Sequence, residues 1–216
     1  MKSIVKEIGT VTFPIHTMER AYMREFRKET GVPNDLKRWQ PTIDQMLAEV
    51  DTDGPIYLMI DQGFVKANQS HRRPGIHIDG YWIPELQTHS GGGGHIHNTS
   101  GRWDTPSPSW IHAKNRGYWD GDYWNTNPKA LDWPDEAIIL ASDVQASKAY
   151  IGEWDGEIKE GGDCSHLDVS HLKAVDLKPN IVYAGNVTML HESTSVLVDS
   201  LRTLVRLSVP GWSPKE

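Results

Sequence analysis

The chain has 216 residues, 38% of them hydrophobic and 24% charged, with a formal net charge of −7 at pH 7. That length fits one globular domain with a real core, and the acidic balance argues against a general polyanion binder, leaving nucleic acid only as a single modified nucleotide held in a local basic pocket. No apolar run is long enough to cross a bilayer, the first residues lack the apolar centre of a signal peptide, and the lone Cys164 cannot form an internal disulfide, so a cytoplasmic protein with no membrane partner is expected.

Taken in chain order, Thr17 is placed to cap a helix over residues 18–30 that stops at Gly31 with Pro33 beyond, and Pro41 opens a second over residues 41–50. Met18, Tyr22 and Phe26 in the first, and Met46, Leu47 and Val50 in the second, form apolar stripes. Residues 1–55 are therefore expected to be a helical support lying against a sheet. From Ile56 onward the pattern is β, with short strands expected at 56–60, 76–78, 137–140, 149–151, 167–169, 181–183, 187–190 and 203–209. Short strands with helices grouped at one end predict a mainly β protein with N-terminal helices, a double-stranded β-helix or jelly-roll barrel formed by one domain over residues 1–216. Residues 86–134 differ in kind: four glycines from Gly91 to Gly94 begin a stretch holding Trp103, Trp110, Trp119, Trp124 and Trp133 among prolines. Such an insertion is expected to form an active-site lid, its tryptophans either stacking on substrate or giving the long loop its own small core.

The most informative residues are His77-Ile78-Asp79. In extended backbone alternate side chains share a face, so His77 and Asp79 converge while Ile78 points away. One imidazole and one carboxylate on one point are two of the three ligands of a facial 2-His-1-carboxylate metal site, which leaves coordination positions open. A third ligand must come from elsewhere, and His191 is followed by a strand-like run, Arg202 to Val209. Its alternation puts Thr203, Val205, Leu207 and Val209 on one face and Arg202, Leu204, Arg206 and Ser208 on the other. A guanidinium just after a candidate metal histidine suits a bidentate clamp on a carboxylate.

Taken together, His77, Asp79, His191 and Arg202 resemble the signature of the Fe(II)/2-oxoglutarate-dependent dioxygenases, with a basic residue about ten residues beyond the distal histidine. The stretches Glu160-Gly161-Gly162-Asp163 and residues 177–186 are similar to the strands that lead to that histidine in the prolyl-hydroxylase-like branch. The resemblance implies an oxidoreductase that binds Fe(II) through His77, Asp79 and His191, uses 2-oxoglutarate as cosubstrate, and hydroxylates a small molecule or a side chain. It also implies Arg202 as the partner of the distal carboxylate. Arg206, on the same strand face, is read as a second cosubstrate residue, a contact for an anionic substrate, or one half of an ion pair. Tyr183 is a candidate phenol hydrogen bond to 2-oxoglutarate.

Two other classes fit parts of the pattern. His95 and His97 have the same alternate spacing, and with His191 they would make the ligand set of a cupin-type metalloenzyme, although polar loop sequence follows where a cupin strand is expected. A jelly-roll binding module without catalysis would instead use the tryptophan-rich stretch for recognition.

Overall fold

Residues 1–79, 135–159 and 162–215 are described by a computed structural model, and the expected lid over residues 86–134 lies outside them. Two antiparallel sheets carry the fold. The larger has six strands in the order β2 (Val5–Thr10), β8 (Ile181–Asn186), β5 (Glu136–Ser142), β10 (Ser200–Pro210), β4 (Pro55–Val65) and β3 (Arg20–Arg27). The smaller has four: β6 (Ser147–Glu153) pairs along one edge with β7 (Lys173–Asp176) and along the other with β9 (Leu190–Ser193) and the short β1 (Lys2–Ser3). The architecture is mainly β and compatible with a β-sandwich. Among the described residues no helix is long and apolar enough to cross a membrane.

Alternation along β10 sets the layers. Val205, Leu207 and Val209 pack on the outer face of the larger sheet with Leu58 and Ile60 of β4, beneath Trp39, Ile43 and Met46. These three covering side chains are fully buried, each worth roughly 1.5–3 kcal/mol in apolar burial. Arg202, Leu204, Arg206 and Ser208 take the opposite face, where Ile138, Leu140 and Tyr183 of the larger sheet meet Ala149 and Met189. A further cluster, with Ile78, Leu190, Trp154 and Leu172, backs the smaller sheet.

The N-terminal region departs from expectation. Residues 18–30 do not form a helix: Arg20–Arg27 is an edge strand, running from Arg20 opposite Asp61 to Arg27 opposite Pro55. The i, i+4 spacing of Met18, Tyr22 and Phe26 imitates a helix, but β4 has a backbone edge that must be hydrogen-bonded, and pairing it outweighs the small differences in intrinsic propensity. Thr17 caps nothing; its backbone N–H donates to Gln62 Oε1 at 3.0 Å. The second expected helix is present but shorter, α1 (Gln40–Met46) with Pro41 in its first turn, entered through a 3₁₀ turn at Asn34–Trp39. Residues 167–169 lie in no strand, and the strand lies further on, at β7.

Candidate metal centre

His77 and His191 come together through the backbone. The two residues form an antiparallel bridge in which each amide donates to the other's carbonyl, His77 N to His191 O at 2.9 Å and His191 N to His77 O at 3.0 Å. On its other side the 76–78 segment is held by Ile78 N donating to Gly162 O at 3.0 Å and Cys164 N donating to Ile76 O at 2.9 Å. Residues near the Gly-Gly-Asp stretch thus act as the flanking partner of the His-x-Asp segment. Ile78 is fully buried on the far side, as alternation requires, which leaves His77 and Asp79 facing inward.

One donor atom from each of His77, Asp79 and His191 lies within 4.8 Å of the others. The imidazole rings have centroids 4.4 Å apart at 52°, and His191 Nε2 is 3.4 Å from Asp79 Oδ2. Each ring is also oriented: His77 Nδ1 lies 2.7 Å from Gly75 O, and His191 Nδ1 lies 3.1 Å from Met189 O. A ring that donates Nδ1–H to a carbonyl keeps Nε2 as a lone-pair ligand, the outer arrangement usual for metal-bound histidine. Two nitrogens and one carboxylate oxygen on one side of an ion form the donor set of an open mononuclear centre.

The charges are arranged for a cation. Burial, and then the neighbouring His191 ring, push the His77 imidazole down to about 3, so it is neutral and able to ligate at neutral pH. Burial alone would raise the Asp79 carboxyl, but the Arg206 guanidinium together with the His191 and His77 rings outweighs it and holds the group well below the usual carboxylate range. The contact is direct, with Arg206 Nη1 2.7 Å from Asp79 Oδ2 and both side chains about 15% exposed or less. Arg206 is itself held above its ordinary value: burial works against the charge, and Asp79 with Tyr22 and Glu136 more than offsets it. Of the roles read for Arg206, the structure displays the ion pair.

Arg202 lies on the same face two register periods away, beyond Leu204, and is completely buried. Its Nε donates to Ser142 Oγ at 3.1 Å and its Nη2 to Ser147 Oγ at 3.0 Å, while Nη1 has no hydrogen-bond partner among the described residues. Burial draws its pKa down to about 10, which leaves it charged at neutral pH. Tyr183 is on the inward-facing row, but its hydroxyl accepts from Lys178 N at 3.0 Å and donates to Glu7 Oε1 at 3.2 Å, away from the three candidate ligands. His95 and His97 lie outside the described residues.

Several participants were not read from the sequence. A β-bulge between Ala21 and Arg24 sets Tyr22 and Met23 opposite Met59, with Met23 at φ 46° and its Sδ 3.8 Å from Arg206 Nη2. Bulges of this kind redirect side chains beside functional sites. Ser142, Ser147 and His71 are ordinary polar residues in sequence, and only Gly63, inside an otherwise bulky strand, signals a close approach. Cys164 is buried, its thiol pushed up to about 12 by burial and by Asp163, as suits a structural residue. Compared with models of known protein families and with curated proteins, the chain matches none.

Proposed function

We propose that this protein is an Fe(II)- and 2-oxoglutarate-dependent dioxygenase of jelly-roll fold that hydroxylates a small molecule or a side chain. The observation that carries the reading is the convergence of His77, Asp79 and His191 within 4.8 Å, with both imidazoles oriented through Nδ1. The donor set fits ferrous iron, which when bound would supply activation of O₂ in the presence of the keto acid. The strand order is consistent with the barrel type: β4, β10, β5 and β8 are successive neighbours in one sheet, and the His77 segment, β9, β6 and β7 in the other. A reducing cytoplasm, expected from the lone cysteine, would suit such a centre.

The chain's own residues divide the work. His77 offers a neutral nitrogen, His191 a second ring nitrogen, and Asp79 one anionic oxygen steadied by Arg206. Arg202 would receive the distal carboxylate: Nη1 is ready for an acceptor, and the Ser142 and Ser147 hydroxyls can rotate to donate once the anion has arrived. Met59, opposite Arg206 in the β4–β10 register, and Leu140, opposite it in β5, are buried and exclude water from the space between the sheets.

The test is anaerobic titration of the Fe(II) protein with 2-oxoglutarate, following the charge-transfer absorption that keto-acid chelation produces. His77→Ala, Asp79→Ala and His191→Ala should each abolish tight metal binding. Arg202→Ala should leave the metal in place and weaken 2-oxoglutarate by on the order of a hundredfold, the loss of about two charge-assisted hydrogen bonds. Wild-type iron affinity in the His191 variant would remove the centre, and indifference of 2-oxoglutarate binding to Arg202 would remove the cosubstrate.

A further inference from the structure

We propose that His71 is a second binding residue for the distal carboxylate of the keto acid, beside Arg202; the role rests on the 2-oxoglutarate reading. Gly63 is the register partner of Arg202, so a side chain there would lie directly beside Arg202's on the inward face. A Cβ built at Gly63 would come within 2.7 Å of His71 Nε2. The imidazole therefore occupies the space that a side chain at position 63 would fill. The glycine makes the cradle, and the ring takes the cross-strand place next to the guanidinium.

Neither group is satisfied by its neighbours. The His71 side chain is 7% exposed, Nε2 lies 3.5 Å from Asp61 Oδ1, and neither ring nitrogen has a hydrogen-bond partner among the described residues. Arg202 Nη1 shares that condition. A buried polar group without a partner is costly, so two such groups at one register position are unfavourable unless a ligand completes them. An acceptor with two oxygens would do so, one for Nη1 and one for the imidazole.

The surrounding charge favours an anion. Asp61 is the carboxylate next to the ring, and it is already engaged by Arg72 Nη1 at 3.0 Å and Arg20 Nε at 3.2 Å. With Arg202 added, and Asp143 set against it, positive charge is still in excess. Nε2 is the ring atom that reaches the cradle at Gly63 beside Arg202. The segment carrying His71 is also pinned, by Asn68 N donating to Val196 O at 2.8 Å and Val196 N donating to Gln69 O at 3.0 Å. The ring is thus positioned before any ligand arrives, which lowers the ordering cost of binding.

The experiment is calorimetric titration of the full-length Co(II)-loaded protein with 2-oxoglutarate and with pyruvate, which has the keto acid end but no distal carboxylate. His71→Ala should weaken 2-oxoglutarate about tenfold and leave pyruvate and metal stoichiometry unchanged. Gly63→Ala, which displaces the ring without deleting it, should act in the same direction, and His71→Asn, which keeps a donor, should recover part of the loss. Wild-type affinity in both His71→Ala and Gly63→Ala, alongside a large loss in Arg202→Ala, overturns the role of His71 and leaves the proposed function standing. Equal losses for pyruvate and 2-oxoglutarate in His71→Ala overturn it as well, since general damage to packing would then be the cause. Failure of the wild-type protein to bind 2-oxoglutarate at all removes both.

Discussion

Replacing Arg206 by alanine tests the charge logic of the candidate centre without touching any of its three candidate ligands. Arg206 Nη1 and Asp79 Oδ2 are 2.7 Å apart, with side chains 14% and 15% exposed. Removing one partner of such a pair strands the other in a poorly solvated place, at a cost of roughly 3 kcal/mol once their slight exposure is allowed for. In a domain of this size that corresponds to a fall of about 6–12 °C in Tm for the metal-free protein. A divalent ion reverses the effect. It restores positive charge beside Asp79, and it no longer faces a guanidinium whose repulsion, at about 4 Å and an effective dielectric near 20, is about 4 kcal/mol per unit charge. The metal-induced rise in Tm should therefore be larger in Arg206→Ala than in wild type, closing much of the gap at saturating Mn(II) or Zn(II). Scanning fluorimetry with and without chelator reads both quantities. A metal-free variant as stable as wild type, or an identical metal shift in the two proteins, would refute this account of the charges.

Acid should destabilise the metal-free protein in two stages. The His77 imidazole is pushed down to about 3 by burial, then by the His191 ring, against 6.5 when free, so between those values the unfolded chain binds a proton that the folded one refuses, and stability falls as pH drops through that window. Asp61 is lowered to about 2 although burial alone would raise it, because His71, Arg72 and Arg20 prevail; its contribution is present above 3.8 and is lost as pH falls towards 2. Urea unfolding free energies at stepped pH check both stages, and a flat profile from about pH 6.5 to about pH 4 would contradict the first. Gly75 provides the third prediction: its φ is +86°, its carbonyl lies 2.7 Å from His77 Nδ1, and an added Cβ would come within 3.3 Å of Ser165 Cβ. Gly75→Ala should weaken metal binding about tenfold in a chelator competition by releasing the His77 ring, and wild-type affinity in a normally folded variant would show that this carbonyl does not orient it.

Local alternation was enough to place much of the centre. Period-two patterning put His77 and Asp79 on one side of Ile78, and Arg202 and Arg206 on one face of β10, and the structure has both arrangements because a half-buried strand must send its apolar side chains one way. The same kind of reasoning failed at residues 18–30, where helical spacing was real but the unsatisfied edge of β4 decided the conformation. Propensity and periodicity are properties of neighbours in the chain; the demand of a distant strand for hydrogen-bond partners is not. The features that make the site specific are of that second kind. His191 meets His77 only because two remote segments exchange backbone hydrogen bonds, Arg206 finds Asp79 only across the space between two sheets, and His71 enters the cradle at Gly63 only because a loop folds back over β4. Sequence determined which side chains face inward, and tertiary structure alone decided which of them meet, since contact between charges and rings depends on the register and packing of strands far apart in the chain.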